Sequence, residues 1–308
     1  MHFNDYIKTC RTRYNITQEE LVNDLYAFND IFTGLDIGTL SRWERGSSKP
    51  SMERQVEFVK YFQSHSGKLF SCFEETETDS IEDKLCQVGI NNLIGKSKEH
   101  IMNFPLSSFM VGDISITNLR ASDDIERALE MPNTLMKNFT HNSPNFTEST
   151  LKKWALNPSN LFLISEINHQ FYGMFFNLRL KPDVFDKIMN FETTVFHISD
   201  DDFATFEEMG SNYPLMFFAN NEKVASLLFI RYYAHLIANQ DNIKEIGSTP
   251  LRESGKRLVE KMNLQHFKEK TIPTGTISAY RASLEDVLLN EAVLKMVFQK
   301  RDVPVDGN

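Results

Sequence analysis

Leu35-Asp36-Ile37-Gly38-Thr39-Leu40-Ser41-Arg42-Trp43-Glu44-Arg45-Gly46 is the stretch that decides how the first part of this chain is read. Leu40 and Trp43 stand three apart and so share one face of a short helix. Asp36 is a residue that caps a helix start, and Gly46 opens the loop Gly46-Ser47-Ser48-Lys49-Pro50. With Leu40 and Trp43 turned inward, Ile37, Gly38, Thr39 and Arg42 project outward. The helix is therefore anchored on one side and displays a mixed polar and apolar set on the other.

Working outward, the neighbouring segments also read as short helices. Phe3, Tyr6, Ile7 and Cys10 fall at helical spacing. Thr17 followed by Glu20 forms a capping box, and Leu21, Leu25 and Phe28 continue that helix. Ser51 starts another, which carries Val56, Val59 and Phe62. Glu74-Glu75-Thr76-Glu77-Thr78-Asp79 is an acidic, polar linker, and residues 80–104 are helical in part.

From Asp113 the pattern changes. Ile114 to Leu119 alternates like a strand and Asp123 to Met131 is helical. Leu161 to Glu166 and Phe171 to Leu178 flank an Asn168-His169 turn as a hairpin. Leu215 to Ala219 is a strand, Val224 to Ala238 an apolar helix, Ile243 to Ile246 a strand, Pro250 to Met262 a helix and Ser278 to Ser283 a last strand. The expected fold class is thus multi-domain: an all-α domain over residues 1–70, a linker and bridging segment over 71–112, and an α/β (α+β) domain with a mixed sheet over 113–308.

Charge separates the two parts. The chain carries a net charge of −9, yet residues 1–70 hold nine Lys/Arg and nine Asp/Glu and are neutral. A nucleic-acid surface needs only a local basic face. Thr39 and Arg42 can hydrogen-bond bases or phosphates in a major groove, and Ile37 can touch a thymine methyl. Arg45, Ser47 and Lys49 are placed for phosphate contacts, which add affinity without sequence information.

These residues resemble the XRE (lambda repressor and Cro-like) family of helix-turn-helix transcription regulators. The matching strings are Thr17-Gln18-Glu19-Glu20-Leu21, Leu40-Ser41-Arg42-Trp43-Glu44-Arg45-Gly46 and Lys49-Pro50-Ser51. The resemblance implies a five-helix domain, dimeric on DNA, in which Gln18 also contacts DNA. Its DNA-facing set is then Gln18, Ile37, Gly38, Thr39, Ser41, Arg42, Arg45, Ser47 and Lys49. Gln18 and Trp43 are further apart than the family pattern implies, so either the second helix is longer or the turn within Tyr26 to Gly34 is expanded.

The order of elements from residue 113 is similar to that of GNAT acyltransferases, carried by Ile116 to Asp124, the 161–178 hairpin, 215–238 and Ile243 to Asn263. That resemblance implies an acetyl-CoA phosphate loop of type Gln/Arg-x-x-Gly-x-Gly/Ala at a helix start, where backbone N–H groups meet the pyrophosphate. The corresponding stretch here is Asn220-Asn221-Glu222-Lys223-Val224-Ala225. Asn220 opens it, Lys223 replaces the central glycine, and only Ala225 matches. The expected role is accordingly a DNA-binding transcription regulator whose second domain senses an acyl-type or other small ligand, binds a protein partner or dimerises, with no catalytic residues, no cofactor and no metal. An active acyltransferase carrying a DNA-binding attachment, and an antitoxin-like protein with a protein partner, are the alternatives.

Other signals are weaker. Ile94-Gly95-Lys96-Ser97 resembles the end of a P-loop, but Ile90 stands where that motif requires glycine. His197-Ile198-Ser199-Asp200-Asp201-Asp202 reads as an acidic helix start rather than a metal site. Glu192 and His197 have no spacing that singles them out as a general base. Phe217, Phe218, Leu227, Leu228, Phe229, Tyr232 and Tyr233 read as core. Cys10, Cys72 and Cys86 are read as reduced thiols, as expected of a cytoplasmic, nucleoid-associated protein, and the sequons at Asn15, Asn138 and Asn145 carry no information there. Met1 to Asp5 lacks the features of a secretory signal, and Arg231 and His235 interrupt the longest apolar stretch, so no membrane span is expected.

Overall fold

A computed structural model describes residues 1–71, 81–94, 108–111, 113–140, 147–273 and 275–298. The chain divides into two compact units. One combines Met1–Ser97 with Leu288–Asn308, and the other is Lys98–Val287.

The first unit is helical. Its elements, numbered in chain order, are α1 (Phe3–Arg13), α2 (Gln18–Phe28), α3 (Ile37–Arg45), α4 (Met52–Ser66), α5 (Ile81–Ile94) and, from the late segment, α12 (Glu291–Val297). The expected caps are formed. Glu20 N–H donates to Thr17 Oγ1 at 3.2 Å and Thr17 N–H to Glu20 Oε2 at 2.7 Å, the reciprocal pair of a capping box. Thr39 N–H donates to Asp36 Oδ1 at 2.5 Å at the start of α3, and Gly46, at φ 67°, ends it in the left-handed conformation glycine adopts without strain. The apolar stripes converge on a core of Phe3, Tyr6, Leu21, Leu40, Trp43 and Phe58, all buried. Phe28 departs from its expected stripe and is 39% exposed, packed edge-on against Tyr61.

The extended spacing between α2 and α3 is resolved as an expanded turn. Asn29 closes α2 and its side chain accepts from Ile31 N–H at 3.0 Å, starting a 3-10 turn over Asp30–Phe32. Phe32 is fully buried against Phe58 at 5.1 Å between ring centroids. The extra residues are an anchored turn, not a slack loop, because one aromatic ring pins them to the core.

Two sequence boundaries need correction. Residues 288–298 were expected in the α/β domain, but Val293, Leu294, Met296, Val297 and Phe298 are buried in the helical unit. There α12 lies against α5, and Phe298 packs on Phe3 and Tyr6. The 71–112 bridging segment is likewise divided. Its helix α5 belongs to the first unit, whereas Ser108–Val111 is a strand of the second. The physical reason is that α5 and α12 each have apolar residues that the other covers. The Ile94 to Ser97 and Cys72 readings lie wholly or largely outside the described residues; Cys10 and Cys86 are buried and not disulfide-bonded.

The second unit is built on one sheet. Its strands are β1 (Ser108–Val111), β2 (Ile114–Asn118), β3 (Leu161–Ile167), β4 (Gln170–Leu180), β5 (Gly210–Ala219), β6 (Ile243–Ser248), β7 (Gln265–Ile272) and β8 (Gly275–Ser283). They lie in the order β1-β2-β3-β4-β5-β6-β8-β7. Every adjacent pair is antiparallel except β5–β6, which is parallel, so the mixed sheet expected from sequence is present. Helices α6 (Ile125–Thr140), α7 (Glu148–Leu156), α8 (Pro182–Met189), α9 (Glu222–Ala238), α10 (Glu253–Lys261) and α11 (Leu284–Leu288) complete it. Asn168 and His169 both take positive φ, 50° and 64°, in the two-residue turn of the β3–β4 hairpin, as a primed turn requires.

The two faces of β4 carry different partners. Phe176, Leu178 and Leu180 face a core shared with Trp154 of α7 and Phe185 of α8. Phe175 faces α9, 4.3 Å from the ring of Tyr232. Gly173 lies where α9 begins to cross β4: a Cβ there would stand 2.7 Å from Val224 Cγ1 and 2.8 Å from the carbonyl of Phe218. Only glycine admits that approach.

Arg179 holds the starts of the two parallel strands together. Its side chain is 1% exposed and donates to three backbone carbonyls. Nε reaches Thr205 O at 3.1 Å, and Nη2 reaches Glu208 O and Asn242 O, each at 2.7 Å. Thr205 and Glu208 precede β5 and Asn242 precedes β6. Burial draws the guanidinium pKa down, and the ring of Phe206 at 5.3 Å offsets part of the lost hydration. Arg179→Met is expected to destabilise the unit by on the order of 3 kcal/mol, because three buried carbonyls lose their donor. Urea denaturation would measure it, and an unchanged midpoint would contradict this role.

Candidate functional site

The exposed face of α3 carries most of the residues expected to contact DNA. Ile37 is 46% exposed, unusual for an isoleucine at a helix start, and Gly38, Arg42, Arg45, Ser47 and Lys49 are also exposed. Thr39 and Ser41 are half-buried. Arg42 Nη2 donates to Thr39 Oγ1 at 2.8 Å, so the two side chains expected at base edges are already oriented by each other. Arg45 Nε donates to Ser41 O at 3.3 Å, and Ser47 Oγ to Arg42 O at 3.2 Å, which folds the following loop back on the helix end.

Gln18 is placed differently from a simple surface contact. It is half-buried at the start of α2, and its Nε2 donates to Glu44 Oε2 at 2.6 Å. Glu44 also accepts from Arg11 Nε at 2.5 Å and Nη2 at 3.2 Å, while Arg11 Nη1 donates to Ile16 O at 2.9 Å. The Glu44 side chain is only 5% exposed. One carboxylate thus ties α1, the entry to α2 and the inner face of α3 together. Sequence reasoning missed Glu44 and Arg11. The available signal was position: Glu44 follows Leu40 and Trp43 on the inward side of the helix, where a charge needs a partner.

Asp36 is held below the usual carboxylate range, chiefly by the Thr39 backbone N–H it accepts. A depressed carboxylate stabilises the fold at pH above its ordinary value, and that contribution fades as pH falls toward the folded value.

In the α/β unit the feature of interest is the parting of β5 and β6. The strands pair at Gly210–Ile243 and Asn212–Ile246. The next residue turned toward β6 is Pro214, which has no N–H to donate. Its carbonyl instead accepts from Ser248 Oγ at 2.9 Å. Opposite β4 the ladder slips, with Asn177 facing Pro214 and Phe176 facing Met216. Beside this point the Tyr213 hydroxyl lies 2.5 Å from Thr249 Oγ1, and burial pushes the phenol pKa up. The remainder of β5, Leu215 to Ala219, has β4 as its ladder partner among the described residues.

The loop leading into α9 is closed by its own side chain. Asn221 Oδ1 accepts from Val224 N–H at 2.9 Å, and Asn220 N–H donates to Tyr172 O at 2.9 Å. Asn220, Glu222 and Lys223 are exposed and Ala225 is half-buried. Elsewhere, His197 Nδ1 lies 2.7 Å from Thr194 Oγ1, and Asp202 is engaged by Ser199 N–H and Oγ at 2.6 and 2.9 Å. These residues form short 3-10 turns. Among the described residues no His/Cys/Asp/Glu group could hold a metal ion, and no helix is long and apolar enough to cross a membrane.

No protein-family model matches the chain, and no curated protein matches its sequence. Solved structures similar in backbone include FeeM, an N-acyl amino acid synthase from uncultured soil microbes, at 10% identity and a TM-score of 0.36 over 54% of this chain and 92% of that one. Arabidopsis thaliana Naa50 with a bisubstrate analogue gives 10% identity and a TM-score of 0.36 over 56% and 99%. Mycobacterium smegmatis RimJ with CoA-disulfide gives 13% identity and 0.35 over 60% and 88%.

Removing the Glu44 carboxylate leaves the half-buried Arg11 without its counter-charge and Gln18 without its acceptor. Glu44→Ala is expected to cost about 2–3 kcal/mol. Chemical denaturation followed by circular dichroism would measure it, and a loss below about 1 kcal/mol would show that the pair behaves as an exposed one.

Proposed function

We propose that this protein is a sequence-specific DNA-binding regulator that reads a major groove with α3. The observation that carries this reading is the pairing of an outward face, Ile37, Gly38, Thr39 and Arg42, with an inward face locked by Leu40, Trp43 and Glu44. A helix fixed from behind and displaying both polar and apolar side chains at the front suits base readout, because rigidity limits the entropy lost on binding. Arg45, Ser47 and Lys49 supply phosphate contacts beside it. Gln18 holds Glu44 and, with its remaining amide proton, meets a phosphate. Together with the strings quoted for the XRE resemblance, this favours a helix-turn-helix whose turn is widened by the Phe32 anchor. The chain acts as a homodimer on its operator, in the cytoplasm and on the nucleoid.

The second unit, in this reading, is a GNAT-like domain that senses an acyl-type ligand or a protein partner and does not transfer acetyl groups. The self-capped start of α9 supports this. Asn221 occupies an amide that a phosphate would otherwise take, and Glu222 adds negative charge beside it. The element order from residue 113 quoted for the GNAT resemblance supports a second reading, an acyltransferase with a DNA-binding attachment. Turnover of acetyl-CoA separates the two: release of free CoA above background in the presence of amine acceptors supports the second reading, and binding without turnover, or no binding, supports the first.

Genome-wide mapping of DNA bound by the full chain is the decisive experiment for the regulator itself. Against a site found that way, Arg42→Ala is expected to cost about 1–3 kcal/mol and relax base preference. Lys49→Ala is expected to weaken binding to all sequences and flatten the salt dependence by about one unit of slope. If both variants bind like wild type at low salt, DNA is not the ligand of this face.

A further inference from the structure

We propose that α12, with the Phe298 that follows it, is a clasp whose docking on α1 and α5 sets how firmly α3 is presented to DNA. The functional half rests on the DNA-binding reading above; the structural half stands on the packing alone. At seven residues α12 is too short to hold a helix by itself. It is fixed by Asn290, whose side chain accepts from Val293 N–H at 3.0 Å, and by the buried row Val293, Leu294, Met296, Val297 and Phe298. Phe298 reaches furthest. Its ring meets Phe3 edge-on at 4.9 Å, Tyr6 at 5.1 Å and Phe70 at 6.0 Å between centroids.

Phe3 and Tyr6 lie in the first half of α1, and Arg11 in its second half is bound to Glu44 of α3. Phe3 also meets Phe58 at 6.0 Å, and Phe58 meets Trp43 of α3 at 5.9 Å. Two routes therefore run from Phe298 to the helix that faces outward: one through an ion pair, one through edge-to-face rings. The chain arrives at α12 from β8 through residues 284–290, and β8 is hydrogen-bonded to β6.

The test uses the full chain carrying Phe298→Ala, Phe298→Leu or Leu294→Ala, with two measurements on each. Hydrogen exchange is followed in α1, α3 and the β3–β4 hairpin, and affinity is measured for DNA selected by wild type. In Phe298→Ala the amides of α1 and α3 should exchange at least about tenfold faster, with β3–β4 unchanged. DNA affinity should fall at least about tenfold in step, and Phe298→Leu, which keeps most of the apolar volume, should recover most of both. Leu294→Ala should reproduce the Phe298→Ala pattern. The proposal is overturned if α1 and α3 exchange like wild type in both alanine variants, or if they loosen while DNA affinity holds. If wild type selects no DNA at all, the DNA reading fails, and exchange in α3 alone decides whether the clasp exists.

Discussion

The buried Glu44 carboxylate is the constraint on which the helical unit depends. A charge that is nearly inaccessible to water must be neutralised and hydrogen-bonded in place. Arg11 supplies the charge and two bonds, and Gln18 supplies a third. Because those donors come from α1 and α2, satisfying one side chain of α3 fixes three helices against one another. The outward face of α3 is then rigid as a by-product of solving a problem on its inward face. A hydrophobic residue at 44 would pack but would not dictate direction, whereas a forked carboxylate accepts from defined angles.

The α/β unit applies the same logic with opposite polarity. Arg179 is a buried cation held by three carbonyls that flank the starts of β5 and β6. Pro214 then ends the pairing that Arg179 begins. The parallel strands are pinned at one end and separate at the other because one residue donates several hydrogen bonds and another can donate none.

Much of this was legible in the sequence, and the misses have physical causes. The caps at Thr17, Asp36 and Ser51 were readable because they depend on neighbours within one turn. The β3–β4 hairpin was readable because alternation and a turn pair coincide. β7 was not, since Gln265 to Ile272 is exposed along nearly its whole length and shows no apolar alternation. The start of β5 was hidden by Pro214, which argues against a strand interior unless the ladder ends there. For the candidate site, the outward residues of α3 followed from spacing, but the partners of Glu44 and Gln18 are 26 or more positions away and local pattern carries no trace of them. The membership of α12 in the helical unit is the same kind of fact: its apolar residues announce burial, not the address of the surface they cover.

That last arrangement has a consequence for synthesis on the ribosome. The α/β unit is inserted between two parts of the helical one, so α1 to α5 emerge first and wait for residues 288–298. At roughly 5–20 residues per second, that wait lasts on the order of 10–40 s. Through it the rings of Phe3, Tyr6 and Phe70 lack the cover Phe298 will give them. The nascent helices are then an incomplete unit for as long as the second domain takes to be made. Completion of the helical unit's core becomes an event that reports the whole insert has already been translated.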